Sequence, residues 1–416
     1  MDNDGARRAP ILLATAAPSR GEKPYRDNPL SMKQLLKAIW RKTPKRAREL
    51  ALQILCGLSL DKAGTFPGPA VGPFFIVGNH RALSGLARGA RLYADELRAS
   101  GVEAICVDST SEMLQTPYYS FADVGAVPLA KARELMGPGT VVLHLNPPQF
   151  QLALLRLDRN FLRGKRIQAY WAWELEEIPR VWRHALNFVH EVFVPSIFVR
   201  EAVSRHTAKP VVVVAHPVPV PEQTKDTFMA DGVLRCLFIF DTASLALRKN
   251  PGAVIEAFRQ AFAPGEASLT LKIGQPEADR SAVSELAAAA ARTPGVTLTT
   301  VSLDEQGLDA LYRAHDVYIS LHRSEGYGLT IREAMVRGLF IVATGWSGNM
   351  DFMRGEKCFP VPYRLTAVQG VVSGLDGARC RWAEPDVVAT SSILRAIRTR
   401  LLEAGTPAPG ATGRTP

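Results

Sequence analysis

No stretch of about eighteen or more consecutive apolar residues occurs in the chain, so a membrane-spanning helix is not expected. The first residues also lack the apolar centre of a secretory leader, and the expected location is the cytoplasm. Cysteine is scarce and scattered: Cys56, Cys106, Cys236, Cys358 and Cys380 are odd in number and include no Cys-x-x-Cys pair. That usage argues against a disulfide framework and against a zinc or redox motif, and reads as reduced thiols mostly in the core. Also missing are the Gly-x-Gly-x-x-Gly turn of a dinucleotide site, an Asp-x-Asp at a strand end and any histidine cluster with ligand spacing. Neither a cofactor nor a metal is therefore expected. Acidic residues are in deficit, 40 against 50 basic ones, and the net charge of +10 favours anionic partners.

What is present is the material of a globular protein. The 416 residues suffice for two or three domains, and 47% hydrophobic content supports real cores. Residues 1–30 read as a disordered tail and 31–66 as a basic helical extension. From Ser31 to Arg48 there are seven basic residues (Lys33, Lys37, Arg41, Lys42, Lys45, Arg46 and Arg48) and no acidic one. Interleaved with Leu35, Leu36, Ile39 and Trp40, they suit a basic amphipathic surface on an anionic membrane through residues 31–60. A helical extension packed on the main body fits them equally well.

Residues 67–220 then alternate short apolar runs with helical stretches, as an α/β domain does. Strands are expected over Phe74 to Val77, Glu103 to Asp108, Thr140 to Leu145, Ile167 to Trp173, Glu191 to Val194 and Val211 to Ala215. A glycine-rich turn containing Gly85 follows the first strand and precedes a helix over Ala90 to Ala99. The third strand runs into His144-Leu145-Asn146, and the fourth into Trp171-Ala172-Trp173-Glu174. These strand ends are where such folds bind ligands. Aromatic faces pack on sugar rings, although Trp171, Trp173 and Trp182 also suit a core cluster. The proline-broken stretch from His216 to Pro221 marks a boundary near 220, and residues 221–404 form a second α/β series. The tail 405–416 is disordered by composition.

The most informative stretch is Ser324-Glu325-Gly326-Tyr327-Gly328-Leu329-Thr330-Ile331-Arg332-Glu333-Ala334-Met335. Asp316 to Leu321 reads as a buried strand, Gly326 and Gly328 as a turn, and Leu329 onward as a helix closed by Gly338. A helix beginning there favours a phosphate at its amino end, with a carboxylate on either side. Two carboxylates suit the hydroxyls at the two ends of a nucleotide sugar.

A glutamate, seven residues and a second glutamate, set in Glu-Gly-Tyr-Gly-Leu and running into Glu-Ala-Met, resembles the donor-site signature of the retaining GT-B glycosyltransferases of family 4. The resemblance implies an α/β GT-B fold, two Rossmann-like doubly wound domains facing a central cleft. It implies Glu333 on the ribose, Glu325 on the donor sugar, Lys249 and Arg248 on the diphosphate, and assisting amides at Tyr327, Gly328 and Leu329. Gly345, Ser347 and Gly348 are expected to approach the donor, and Gly85, His144, Asn146, Trp173 and Glu174 to serve the acceptor side. Two positions depart from the pattern: Asn146 stands where the family often has a histidine, and Asp241 where it usually has an arginine. The implied reaction is metal-independent same-face transfer, in which an oxygen of the leaving phosphate takes the acceptor proton. A nucleotide-diphosphate sugar would give its sugar to a glycan or lipid-linked acceptor, in cell-surface polysaccharide or glycoconjugate synthesis. The alternative is a catalytically silent scaffold of the same fold at a membrane. Nucleic-acid binding, suggested by charge alone, is not expected.

Overall fold

The computed structural model describes residues 43–66, 68–114, 125–135, 137–368 and 380–405. The expected tail 1–30, the basic residues Lys33, Lys37, Arg41 and Lys42, and the chain beyond Gly405 lie outside these. The described residues from Glu49 onward make up one compact unit.

Helix α1, Lys45–Ser59, precedes the first sheet and buries Leu52 and Cys56 in that sheet's core. Strand β1, Phe74–Gly78, leads to α2, Gly85–Ala99, which the Ser84 hydroxyl caps by accepting from the Ala87 amide at 3.3 Å. That cap starts the helix ahead of the expected Ala90, so Gly85 lies inside the first turn instead of in a loop. The sheet continues through β2, Ala104–Asp108, β3, Val127–Pro128, and β4, Gly139–His144. Helix α3, Gln149–Leu162, β5, Lys165–Tyr170, and β6, Glu191–Val194, follow. Helix α4, Ile197–Ser204, capped by Ser196, and β7, Val211–Val213, complete this half. Every pairing is parallel, in the order β3-β2-β1-β4-β5-β6-β7.

The second sheet opens with β8, Leu234–Asp241, followed by the one-turn helix α5, Ala246–Lys249, and α6, Pro251–Ala261. Next come β9, Ala267–Gly274, α7, Arg280–Ala291, and β10, Val296–Thr299. Helix α8, Glu305–Arg313, begins ahead of Leu308, the first apolar residue of its periodic stretch, because the Asp304 carboxylate accepts from the Gly307 amide at 2.8 Å. Strand β11, Val317–Ser320, α9, Leu329–Val336, β12, Phe340–Thr344, and β13, Cys358–Val361, close the sheet in the order β10-β9-β8-β11-β12-β13. A separate antiparallel pair, β14, Tyr363–Ala367, and β15, Arg381–Pro385, precedes the long helix α10, Val387–Gly405, which packs on α6. Along β9 the apolar residues Ala267, Leu269, Leu271 and Ile273 alternate inward, leaving Ser268, Thr270, Lys272 and Gly274 on the opposite face.

In each sheet the strand order reverses once, between β1 and β4 and between β8 and β11. Connections diverge there and leave a crevice at the carboxyl ends of the strands. The loops that flank the two crevices carry Ser84 to Arg88, His144 to Asn146, Asp241 to Lys249, and Ser324 to Leu329. Packing two such crevices within one compact unit sets those loops against one another.

Candidate active site

A cavity of about 380 Å³ lies among these loops, with residues from both sheets on its walls. Glu325, Tyr327, Gly328, Leu329 and Glu333 form one side, and Gly85, Arg88, Asn146 and Glu174 the other.

Glu325 is buried, and the turn around it is fixed from several directions. Its backbone amide donates to the Ser347 hydroxyl at 2.8 Å, and its carbonyl accepts from the Gly348 amide at 2.9 Å. The Lys249 ammonium pairs with its carboxylate, and Arg248 Nη1 stands 3.3 Å from the same oxygen. Burial pushes its pKa up, but Lys249 and Arg248 outweigh that and hold it at about 2. Arg248 itself is almost wholly buried: Nη1 donates to the Ser324 carbonyl at 2.6 Å, Nη2 to the Ser244 carbonyl at 3.2 Å, and Nη2 lies 3.5 Å from Glu174. Most of its donors are thus committed to the protein, and it lines the cavity beside Glu325.

The glycines of the turn have separate reasons. Gly328 has φ +86°, a left-handed conformation that a side chain disfavours. Gly326 meets the first half of the chain so closely that a Cβ there would come 2.5 Å from the Trp173 carbonyl oxygen. Its own carbonyl accepts from the Ser196 hydroxyl at 2.6 Å.

Glu333, in the second turn of α9, is 1% exposed. Tyr312 donates its hydroxyl to one carboxylate oxygen at 2.9 Å, and Arg88 on α2 pairs with the other. Arg88 also reaches Glu305 at 3.1 Å. One guanidinium thus bridges the two halves above the position expected to hold the ribose.

On the first half's side, Asn146 donates to the Ala172 carbonyl at 2.7 Å, while its Oδ1 is buried without a partner among the described residues. His216 also lines the cavity; burial lowers its pKa to about 4, so its ring is neutral. That ring packs edge-on against Tyr327 at 5.1 Å and fills the space beside Gly89, where a Cβ would come within 2.6 Å of its Nδ1. Two expected acceptor-side residues do not line the cavity. His144 stacks on Tyr170 at 4.2 Å in the core behind it, and burial drives its pKa well down. Trp173 donates its indole N–H to the Glu177 carbonyl at 2.8 Å and packs on Trp182, so its half-buried ring lies against the aromatic core. Gly345, Ser347 and Gly348 are likewise set back from the cavity; Ser347 and Gly348 brace Glu325 from behind, while the Gly345 amide donates to the Val361 carbonyl at 2.9 Å.

Several wall residues are not singled out by the sequence: Arg88, His216, Lys272 and Gln275. Arg88 lies in a stretch that reads as a packing turn, and His216 in one that reads as a linker. Lys272 carries one usable signal, a charge in the middle of an otherwise apolar-alternating strand. At Asp241 the carboxylate accepts from the Ala243 amide at 2.9 Å and from the Gln275 side chain, and burial raises its pKa. The Gln275 amide also reaches the Leu83 carbonyl at 2.8 Å, tying this corner to the first half.

Two doubly wound parallel sheets opening on a shared cleft define the GT-B fold. Its solved likenesses include HepE from Anabaena, in complex with UDP and glucose, at a TM-score of 0.53 and 14% identity over 79% of this chain and 90% of that one. A glycosyltransferase from Rickettsia africae gives 0.51 and 12%, over 79% and 88%. Apo OtsA gives 0.51 and 10%, over 80% and 95%. No curated protein matches the chain by sequence. Residues 198–398 match the family described as family 4 glycosyltransferase in conflict systems. The chain has the GT-B fold, and its second half is similar to that family of glycosyltransferases.

Proposed function

We propose that the chain is a retaining, metal-independent transferase that moves a sugar from a nucleotide-diphosphate sugar to a glycan or lipid-linked acceptor. The observation that carries this reading is the placing of Glu325 and Glu333 on one cavity wall, with Lys249 beside the first. The ribose hydroxyls meet Glu333, the sugar hydroxyls meet Glu325, and the diphosphate lies between them near Lys249 and the amides of Tyr327, Gly328 and Leu329. The bond from the anomeric carbon to the diphosphate breaks as the acceptor oxygen approaches the same face. The acceptor proton passes to an oxygen of the departing phosphate, so the protein supplies no general base. Glu325, paired with two cations and held at about 2, is a poor base and a good hydroxyl acceptor. Asn146 fits the same scheme, because its unpartnered Oδ1 offers an acceptor to a sugar hydroxyl. Stabilising the departing diphosphate would supply most of the rate enhancement.

Uridine is the first base to try, since the HepE complex holds UDP. Glu333→Gln and Lys249→Ala should each lower donor turnover, by about 10²–10³-fold for the lysine if it meets developing charge. Nucleotide-release assays on folded variants check this, and wild-type rates in both would sink the proposal. The description of the matched family adds conflict systems as a context beside glycoconjugate synthesis.

A peripheral membrane site is proposed at α1. Its Leu50, Ile54, Leu55 and Leu58 are exposed, Leu58 by 77%, on the side away from the buried Leu52 and Cys56. No helix among the described residues is long and apolar enough to cross a membrane.

A further inference from the structure

We propose that Lys272 is a second diphosphate-binding cation of the site, sharing one anion pocket with Lys249 and the Asp241 carboxylate. The inference rests on the nucleotide-sugar reading given above. In the β8–β9 register Ile239 lies beside Lys272 and Asp241 beside Gly274, so Lys272 and Asp241 project from the same face, one alternation apart along it. Both line the cavity, as does Lys249.

A diphosphate carries more charge than one ammonium balances, and the other cations here are already engaged. Arg248 is bonded to two carbonyls and faces Glu174 and Glu325, Lys249 is paired with Glu325, and Arg88 with Glu333 and Glu305. The Lys272 ammonium makes no hydrogen bond or ion pair among the described residues, and the residue is only half-buried. Asp241 lies within electrostatic reach of both lysines, which pull against its burial. Fixed by the Ala243 amide and Gln275, that carboxylate keeps the two ammonium groups from repelling each other before an anion arrives. The strand rather than a loop positions Lys272, so its stem is held by neighbouring β structure.

The test is calorimetric titration of the full chain with UDP, and with uridine as a phosphate-free probe. Lys272→Met, which keeps the length and removes the charge, should weaken UDP by about tenfold or more and leave uridine unchanged. Lys272→Arg should stay within about threefold of wild type, because the charge is kept. If Lys272→Met binds UDP within about twofold of wild type while Lys249→Ala is weakened, Lys272 is not a phosphate ligand, and the function stands. Equal loss of uridine and UDP would place Lys272 on the nucleoside and overturn the inference. Folded wild-type protein that binds none of UDP, ADP and GDP overturns both the function and the inference. Should Lys272→Met fail to fold, Lys272→Gln takes its place with the same expected outcomes.

Discussion

Ser347 adopts φ 77° and ψ −155°, a backbone region that side chains rarely enter and that costs roughly 1–3 kcal/mol. The surrounding contacts hold it there, and its hydroxyl receives the Glu325 amide, so the strain is located where the site must be rigid. The next residue is equally constrained. A Cβ on Gly348 would collide with the Gly326 carbonyl oxygen and come 2.9 Å from the Ser196 hydroxyl. Gly348→Ala should therefore cost on the order of 1–3 kcal/mol in denaturant unfolding, through overpacking, and lower donor turnover by displacing Glu325. Unchanged midpoint and turnover would show that the turn can give way. At this scale Glu325, Glu333 and Lys249 are legible, because their spacing along one strand-turn-helix segment or loop carries the information. Arg88 is not: its partner Glu333 lies 245 residues away in sequence.

Among the elements, α2 and α8 both begin earlier than the apolar periodicity suggests. A single polar cap satisfies the first amides and so extends each helix into sequence that reads as a loop. The strands are easier, since β8, β9, β11 and β12 are continuous or alternating apolar runs. Helix α3, whose Phe150, Leu154, Leu157 and Phe161 are buried, and the β14–β15 pair are not anticipated by that reading. Helix α1 shows large aliphatic residues on two faces, only one of which the core covers. Replacing Ile54 and Leu58 together by Asp should weaken binding to phosphatidylserine vesicles by about tenfold or more, given the apolar area each would bury. Donor turnover should be unaffected. Equal vesicle binding by the variant would remove α1 from any membrane contact.

Taken as a whole, the molecule encloses several neutral histidines. Burial lowers His216 and His322 to about 4, against 6.5 in an unfolded chain. Between those values the unfolded chain binds a proton that the folded one refuses, so stability falls as pH drops below 6.5 and levels off near 4. Each buried histidine contributes about 1.4 kcal/mol per pH unit in that window. Glu325 extends the loss: its depressed pKa stabilises the fold above 4.5, and that contribution disappears as pH falls towards 2. His322→Gln should show a shallower decline between pH 6.5 and 4 in equilibrium unfolding than wild type. Parallel declines would mean that His322 takes up a proton within the fold.

The amino-acid sequence alone determined the alternation of strands and helices, the glycine turn and the two glutamates of the cavity wall, because each of these is written in neighbours a few residues apart. Only the tertiary structure decided which of the remaining candidates face the cavity. It set His144 into the core and Trp173 against it, turned Ser347 and Gly348 into supports for Glu325, and brought Arg88, His216 and Lys272 to the wall. The physical reason is that a side chain's access to a cleft depends on how two sheets meet, and no local pattern of residues encodes that meeting.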